Sequence, residues 1–89
     1  MSERYQLEIN QKDAYGTPLL HKAVHRRNLG VFKFICFKGA NLNATDANGN
    51  TALHLAIMLG FKNIVDVLLE FGAREDLLNK QGLQCWEMV

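Results

Sequence analysis

The sequence predicts an all-α repeat fold, an α-solenoid in which each unit is a tight turn followed by two short antiparallel helices. The chain matches itself best at an offset of 33 residues, which places residues 13–45 opposite residues 46–78. Within each stretch, turn-forming residues are followed by two apolar segments with helical spacing. Two copies of one unit therefore account for most of the 89 residues.

The aligned residues belong to many chemical types, which a chance alignment does not produce. The apolar residues of two helical segments also agree, with Val31, Phe32, Phe34, Ile35 and Cys36 opposite Ile64, Val65, Val67, Leu68 and Leu69. The identical pairs are Asp13 with Asp46, Ala14 with Ala47, Gly16 with Gly49, Leu20 with Leu53, His21 with His54, Ala23 with Ala56, Gly39 with Gly72, and Ala40 with Ala73. We therefore expect the two units to share one structure.

The second unit opens with a turn and a short helix. The segment Asp46–Gly49 reads D-A-N-G and predicts a tight turn, because Asn and Gly tolerate a positive φ. Thr51 offers a hydroxyl that can cap the free amides of a helix over about residues 52–59. Gly60 can end that helix in the left-handed conformation.

A second helix follows over about residues 62–71, and Gly72 closes it. Acidic residues lie between its apolar residues, and the apolar residues recur at helical spacing. The apolar residues are Ile64, Val65, Leu68 and Leu69. The unit is therefore a turn followed by two helices.

The first unit departs from this pattern where its first helix begins. In register with His21, Pro18 occupies the position of Thr51. Either the turn is one residue shorter and the helix one residue longer, or Thr17-Pro18 begins the helix early.

The end of the same helix also differs. Arg27 stands where the second unit has Gly60. The sequence therefore predicts that the following residue, Asn28, takes the left-handed position instead.

This unit resembles an ankyrin repeat, which has about 33 residues, a turn plus two helices and a T-P-L-H-x-A signature. The segment Thr51–Ala56 reads T-A-L-H-L-A and matches the signature except for Ala at the Pro position. The segment Glu70–Ala73, followed by Asn79–Gly82, resembles the family's close of one repeat and opening of the next. The resemblance covers nearly the whole chain and implies repeats made of a hairpin tip and two helices.

The resemblance also assigns the two ends. Ile9-Asn10 aligns with the end of the first unit, so residues 1–12 are expected to be the tail of a preceding repeat or an N-terminal cap. Residues 79–89 are expected to be a partial C-terminal repeat or a cap, with Trp86 opposite Leu53. About three repeats are needed to bury a solenoid core. Either the chain is a fragment of a longer array, or something else covers its open end.

Composition excludes several classes of function. A net charge of +1 gives no global field that attracts nucleic acid or a membrane. The first residues lack the apolar run of a signal peptide, and no apolar stretch approaches the roughly 20 residues of a bilayer span. Cys36 and Cys85 lie in apolar surroundings without a paired spacing, which favours buried free thiols. We expect a soluble cytoplasmic or nuclear protein without a membrane partner.

No residue pattern indicates catalysis. His21 and His54 occupy the same position of each unit, where the resemblance implies an imidazole that hydrogen-bonds the neighbouring loop. His21 and His25 are spaced to share a metal on one helix face, but no third ligand is nearby in sequence. Cys36 lies opposite Leu69, which predicts a core thiol. The chain has no phosphate-binding Gly loop, serine elbow or paired carboxylates. We expect no enzyme, no cofactor and no metal site.

The resemblance implies a protein–protein interaction module, scaffolding or regulatory, that binds through hairpin tips and the concave face of each first helix. Tyr15, Arg26 and Met58 are the strongest candidates, because aromatic, Arg and Met side chains are enriched at interface centres. Met58 and Leu59 fit a helix-packing core as well as they fit a binding surface. Phe37 and Phe71 would form a second contact surface if they are exposed. Carried over by register, the candidates are Ala14, Tyr15, Thr17, His25, Arg26, Thr45, Ala47, Asn48, Asn50, Met58, Leu59, Lys80 and Gln81.

Charge is divided between the units. The first unit has five basic residues and one acidic residue, a net +4, and the second has two basic and five acidic residues, a net −3. Either the first unit prefers an acidic segment of a partner protein, or molecules self-associate head to tail through uncapped repeat ends. The alternative function is nucleic-acid binding through the basic first repeat, for which five basic residues and one nearby aromatic residue form a weak footprint.

Overall fold

The structure is a computed structural model and describes residues 9–88. Residues 1–8 of the predicted N-terminal tail or cap, and Val89 of the C-terminal one, lie outside the described residues. The described part is helical, with one isolated bridge between Lys12 and Pro18, and none of its helices has the length and apolar character to cross a bilayer. The elements are α1 (Leu19–Arg26), α2 (Leu29–Phe37), α3 (Ala52–Leu59), α4 (Lys62–Glu70) and a 3₁₀ helix (Cys85–Met88).

The helices form two layers, as the all-α repeat prediction requires. The first helices α1 and α3 contact each other, and so do the second helices α2 and α4. The 3₁₀ helix packs on α3 and continues the first layer. Equivalent apolar residues of the two units are buried, namely Leu20 with Leu53, Val24 with Ile57, Phe32 with Val65, and Ile35 with Leu68. Burial of each such side chain contributes about 1.5–3 kcal/mol, so the core depends on the packing of one unit on the next.

Each unit begins with a turn, and the side chain of the first residue of the turn closes it by hydrogen bonds. The Oδ1 atom of Asp46 accepts hydrogen bonds from two backbone N–H groups of its turn, at 2.9 and 3.0 Å. Asp13 and Asn79 accept the equivalent pairs in the other two turns. Gly49 has a φ of 76°, and a Cβ on it would lie 2.7 Å from the backbone nitrogen of Lys80. The predicted tight turn is confirmed, and glycine is required in it.

A buried histidine joins each unit to the next turn. The Nε2–H of His21 donates to the carbonyl of Asn50 at 2.7 Å, and that of His54 donates to the carbonyl of Leu83 at 2.8 Å. Because a carbonyl only accepts, Nε2 carries the proton in both rings. The Nδ1 atom of His54 accepts from the hydroxyl of Thr51 at 2.8 Å, and that hydroxyl accepts from the His54 backbone N–H. The structural interpretation of the repeated histidine and the cap at Thr51 are both confirmed.

The first unit keeps the register of the second but lacks its cap. Helices α1 and α3 both have 8 residues and start at equivalent positions, so both sequence alternatives for the start of α1 are wrong. Pro18 precedes α1 with neither a hydroxyl nor an N–H to offer. The Nδ1 atom of His21 is therefore buried without a hydrogen-bond partner among the described residues. Burial also lowers the pKa of His21 below its ordinary value of 6.5.

The end of α1 also corrects the sequence prediction. Arg27, not Asn28, takes the left-handed position, with a φ of 54°. Asn28 has a φ of −87° and caps α2 by accepting from the backbone N–H of Val31 at 3.1 Å. Gly60, the equivalent residue of the second unit, adopts its φ of 76° without a Cβ. The guanidinium of Arg27 lies 4.4 Å from the centroid of the Phe61 ring, a contact that offsets part of the backbone strain.

Replacement of Pro18 by Thr should supply the missing cap. We expect Pro18→Thr to have a free energy of unfolding about 1 kcal/mol above that of Pro18→Val, because only Thr offers a hydroxyl to the Nδ1 atom of His21. Urea unfolding followed by circular dichroism measures the difference. Equal stabilities of the two variants, whose side chains have the same shape, would contradict the capping role.

Stability should fall as the pH is lowered through 6.5, the ordinary pKa of His21. The folded protein holds this ring neutral, whereas the unfolded chain takes up the proton at a higher pH, so acid favours unfolding. We expect the free energy of unfolding of the wild type to fall more between pH 7.5 and pH 5 than that of His21→Gln, which is less stable at neutral pH. Parallel pH dependences of the two proteins would show that His21 does not carry the effect.

Candidate functional site

Two rows of exposed residues run across the stacked units. We name the exposed residues of the turns the tip row, and those of the first helices the first-helix face. The tip row consists of Ala14, Tyr15, Ala47, Asn48, Lys80 and Gln81. The first-helix face consists of Lys22, His25, Arg26, Met58 and Leu59. Every residue of the two rows except Lys22 was a sequence candidate for partner binding.

Neighbouring tips are tied to each other. The backbone N–H of Lys80 donates to the carbonyl of Asn48 at 3.1 Å. A Cβ on Gly16 would lie 3.7 Å from the Cβ of Ala47, so the first two tips are in close approach. Tyr15 projects from this fixed backbone with 83% of its surface exposed. Because the backbone is already ordered, binding at the tips costs little conformational entropy beyond that of the side chains.

The first-helix face is basic over α1 and apolar over α3. The repeat alignment pairs His25 with Met58 and Arg26 with Leu59. Met58 is 47% exposed and Leu59 is 39% exposed, so the alternative that these two residues form helix-packing core is wrong. Both residues are available to a partner, and their contact with one stays a prediction.

Asn50 is the sequence candidate that the structure corrects. It is 8% exposed, and its Oδ1 atom accepts from the Nδ2 group of Asn79 at 2.8 Å. Its carbonyl accepts from His21, so both polar ends of the residue hold neighbouring units together. The prediction of Asn50 as a partner-binding residue is therefore wrong. Thr17 and Thr45 are half-buried and offer a partner only part of their surface.

The charge on the first-helix face is positive. The ammonium group of Lys22 pairs with Asp13 at 3.2 Å. A hydrogen bond from the backbone N–H of Thr17, together with Lys22, lowers the pKa of that carboxyl. Among the described residues, the ion pairs do not include Arg26 or His25. Arg26 is therefore an exposed cation at this face without an ion-pair partner among residues 9–88.

The described residues offer contact surface rather than reacting groups. His21 is buried and bonded to Asn50, whereas His25 is exposed, so the two rings are not arranged to share a metal. Between residues 9 and 88 no three His, Cys, Asp or Glu side chains converge as metal ligands would. Cys36 and Cys85 are free and buried, as predicted. Burial raises the pKa of Cys36 to about 11 and also raises that of Cys85, so both thiols stay protonated at neutral pH.

Exposed aromatic residues also lie on the second helices. Phe37 is 80% exposed and Phe71 is 40% exposed, which meets the condition set for a second contact surface. Phe34 is also exposed, which the sequence did not predict. Its equivalent in the repeat alignment is Val67, which is only 5% exposed. The repeat alignment treats the two positions as alike, and their different exposure is seen only in the packed structure.

Trp86 is a second exposed residue that the alignment placed in the core. Its equivalent, Leu53, is fully buried, whereas Trp86 is 47% exposed and donates its Nε1–H to Glu75 at 2.8 Å. The segment forms a 3₁₀ helix, whose three residues per turn point its side chains in other directions than an α-helix would. Trp86, Val65 and Leu69 line an apolar groove of about 280 Å³.

Comparisons with known proteins agree with this architecture. The family model described as ankyrin repeats (3 copies) matches residues 3–81. An ankyrin repeat-containing protein of Caenorhabditis elegans is 33% identical over 86 residues, which are 97% of this chain and 7% of that protein. The nuclear factor NF-kappa-B p105 subunit of Gallus gallus is 39% identical over 85 residues, which are 91% of this chain and 8% of that protein. The regulatory protein SWI6 of Saccharomyces cerevisiae is 51% identical over 43 residues, which are 48% of this chain and 5% of that protein.

A solved structure has the same fold. The crystal structure of the ankyrin repeat domain of Bcl-3, described as a member of the IkappaB protein family, superposes with a TM-score of 0.91 at 28% sequence identity. The match covers 97% of this chain and 38% of the Bcl-3 chain, so this chain spans only a small part of the relatives it resembles. The repeated turns, the two helix layers and the matching family model lead to one conclusion: the chain belongs to the ankyrin-repeat family.

Proposed function

We propose that this chain is a protein–protein interaction module, without enzymatic activity of its own, that binds a partner protein through the tip row and the first-helix face. The observation that carries the proposal is the exposure of Tyr15, Arg26 and Met58 on turns and helices that hydrogen bonds hold in place. Side chains of these three types are enriched at the centres of interfaces. Ankyrin repeats are a non-enzymatic interaction fold, which supports the same function.

The module acts in the cytoplasm or the nucleus in a scaffolding or regulatory role. Two relatives support this part of the proposal, since one is named a nuclear factor subunit and the other a regulatory protein. The free, buried thiols of Cys36 and Cys85 fit a reducing compartment.

The partner in this proposal is a protein other than a second copy of the chain. A head-to-tail stack would extend the first-helix layer beyond α3. The 3₁₀ helix Cys85–Met88 already packs there. The described residues therefore favour a different protein over self-association.

Nucleic-acid binding, the alternative function, gains no support from the placement of the basic residues. Lys22 is paired with Asp13. Arg27 lies over the ring of Phe61, and the ammonium of Lys38 lies 5.4 Å from the centroid of the Phe34 ring. Because three of the five cations of the first unit already have partners, this unit is a poor match for a phosphate backbone.

Substitution of the three exposed anchors should weaken binding. Peptides are first selected on the wild type from a random phage-displayed library. We expect Tyr15→Ala, Arg26→Ala and Met58→Ala each to lower the affinity for these peptides by about 10- to 100-fold. Isothermal titration calorimetry with each selected peptide measures the change. Phe37→Ala is the contrasting variant, since Phe37 is 80% exposed and belongs to the second contact surface instead of the tip row or the first-helix face. Peptides that lose affinity for the control and keep it for the three anchor variants would place the binding surface elsewhere.

A further inference from the structure

The first-helix face changes its chemistry from one unit to the next. At equivalent positions, α1 presents His25 and Arg26, and α3 presents Met58 and Leu59. A partner that covers both helices meets a cation over one and an apolar patch over the other. The partner must therefore carry two kinds of side chain at a fixed separation.

The equivalent helix of the second unit forms without a cation in its last turn. Basic residues in the last turn of a helix offset its dipole, which gives Arg26 a structural explanation. However, α3 has the same length as α1, has Met58 and Leu59 in its last turn, and has no basic residue there. Because α3 forms without such a charge, this position of the repeat does not require one, and among the described residues Arg26 has no ion-pair partner and can meet an acidic group of a partner.

The separation of the two patches indicates the conformation of the partner segment. Axes of packed helices lie about 8–10 Å apart, so the patches over α1 and α3 are separated by a similar distance. In an extended segment, side chains on one face are spaced by about 7 Å or about 13 Å. In a helix, residues seven positions apart lie on one face and are separated by about 10.5 Å. The helical spacing lies just above this range and the shorter extended spacing lies just below it, and the helical one is the closer of the two.

We propose that the partner segment is an amphipathic helix that bears an acidic residue opposite Arg26 and a bulky apolar residue, seven positions away, on the patch of Met58 and Leu59. The proposal rests on the proposed function and adds the chemistry of the partner to it. The acidic group forms a charge-assisted hydrogen bond with the guanidinium. The apolar residue is removed from water on the flexible, polarisable side chain of Met58.

The test selects partner chemistry instead of assuming it. A phage-displayed library of helical peptides of about 20 residues, long enough to hold a helix, has two randomised positions seven residues apart on an alanine-rich background. The library is selected separately on the wild type, Arg26→Glu, Arg26→Gln and the control Lys38→Glu. The control makes the same charge change outside the first-helix face, next to Phe34. Circular dichroism first verifies that each variant keeps its helical content.

We expect Asp or Glu at one randomised position and Leu, Ile, Met or Phe at the other on the wild type and on the control. We expect Lys or Arg to replace the acidic residue on Arg26→Glu, and no charge preference on Arg26→Gln. Fluorescence anisotropy should show that a selected peptide loses about tenfold in affinity for the wild type when its acidic residue is changed to Lys, and that Arg26→Glu reverses the order. Higher salt should reduce the ratio of the affinities of the acidic peptide and its Lys variant, because salt screens the charges.

The outcomes separate the two proposals. Peptides whose binding depends on Tyr15 and Met58, but which have no acidic residue, would overturn the partner chemistry and leave the proposed function standing. The same holds if Arg26→Glu selects the same acidic peptides as the wild type. Peptides whose binding is insensitive to Tyr15, Arg26 and Met58 alike would overturn the proposed function as well.

Discussion

The hydrogen bond from a buried imidazole to the carbonyl of the next turn is the interaction on which the rest of this structure depends. It occurs from His21 to Asn50 and from His54 to Leu83, so it fixes each turn to the helix of the unit before it. The apolar core alone would let adjacent units slide, because hydrophobic burial is not directional. The two directional bonds set the register in which the helix layers pack.

The same bonds prepare the binding surface. A turn held by its own Asp or Asn and by the histidine of the preceding unit keeps its tip in place without help from a partner. Tyr15 stands on a turn that Asp13 closes and Met58 at the end of α3, so both lie on ordered backbone before binding. A surface of this kind can be varied in its exposed side chains while the framework below it stays the same. This separation explains why one unit can be basic and the next apolar on one fold.

The first unit shows how much departure the framework tolerates. It lacks a cap hydroxyl at Pro18, leaves the Nδ1 atom of His21 without a partner, and places Arg27 at a positive φ. Each departure costs on the order of 1 kcal/mol. The stacking of Arg27 on Phe61 and the burial of Leu20 and Val24 offset these costs. The first unit therefore keeps the register of the second despite these three departures.

The sequence by itself determined the repeat, the turns and the order of the helices, and its resemblance to ankyrin repeats implied the role of the two histidines. The repeat and the turns follow from local patterns that recur in both units, such as the aspartate that closes each turn, Asp13 or Asp46, and the glycine three residues after it. Most of the candidate surface could also be predicted, because its residues occupy equivalent positions of the units.

Only the tertiary structure decided which of these positions reach the solvent. In the structure Asn50 is buried against Asn79, whereas Met58 and Leu59 are exposed. Phe34 and Trp86 are exposed at positions whose equivalents are buried. The left-handed residue is Arg27. The physical reason is that a repeat alignment treats equivalent positions as alike, whereas the exposure of each residue depends on which neighbouring unit or helix packs over it.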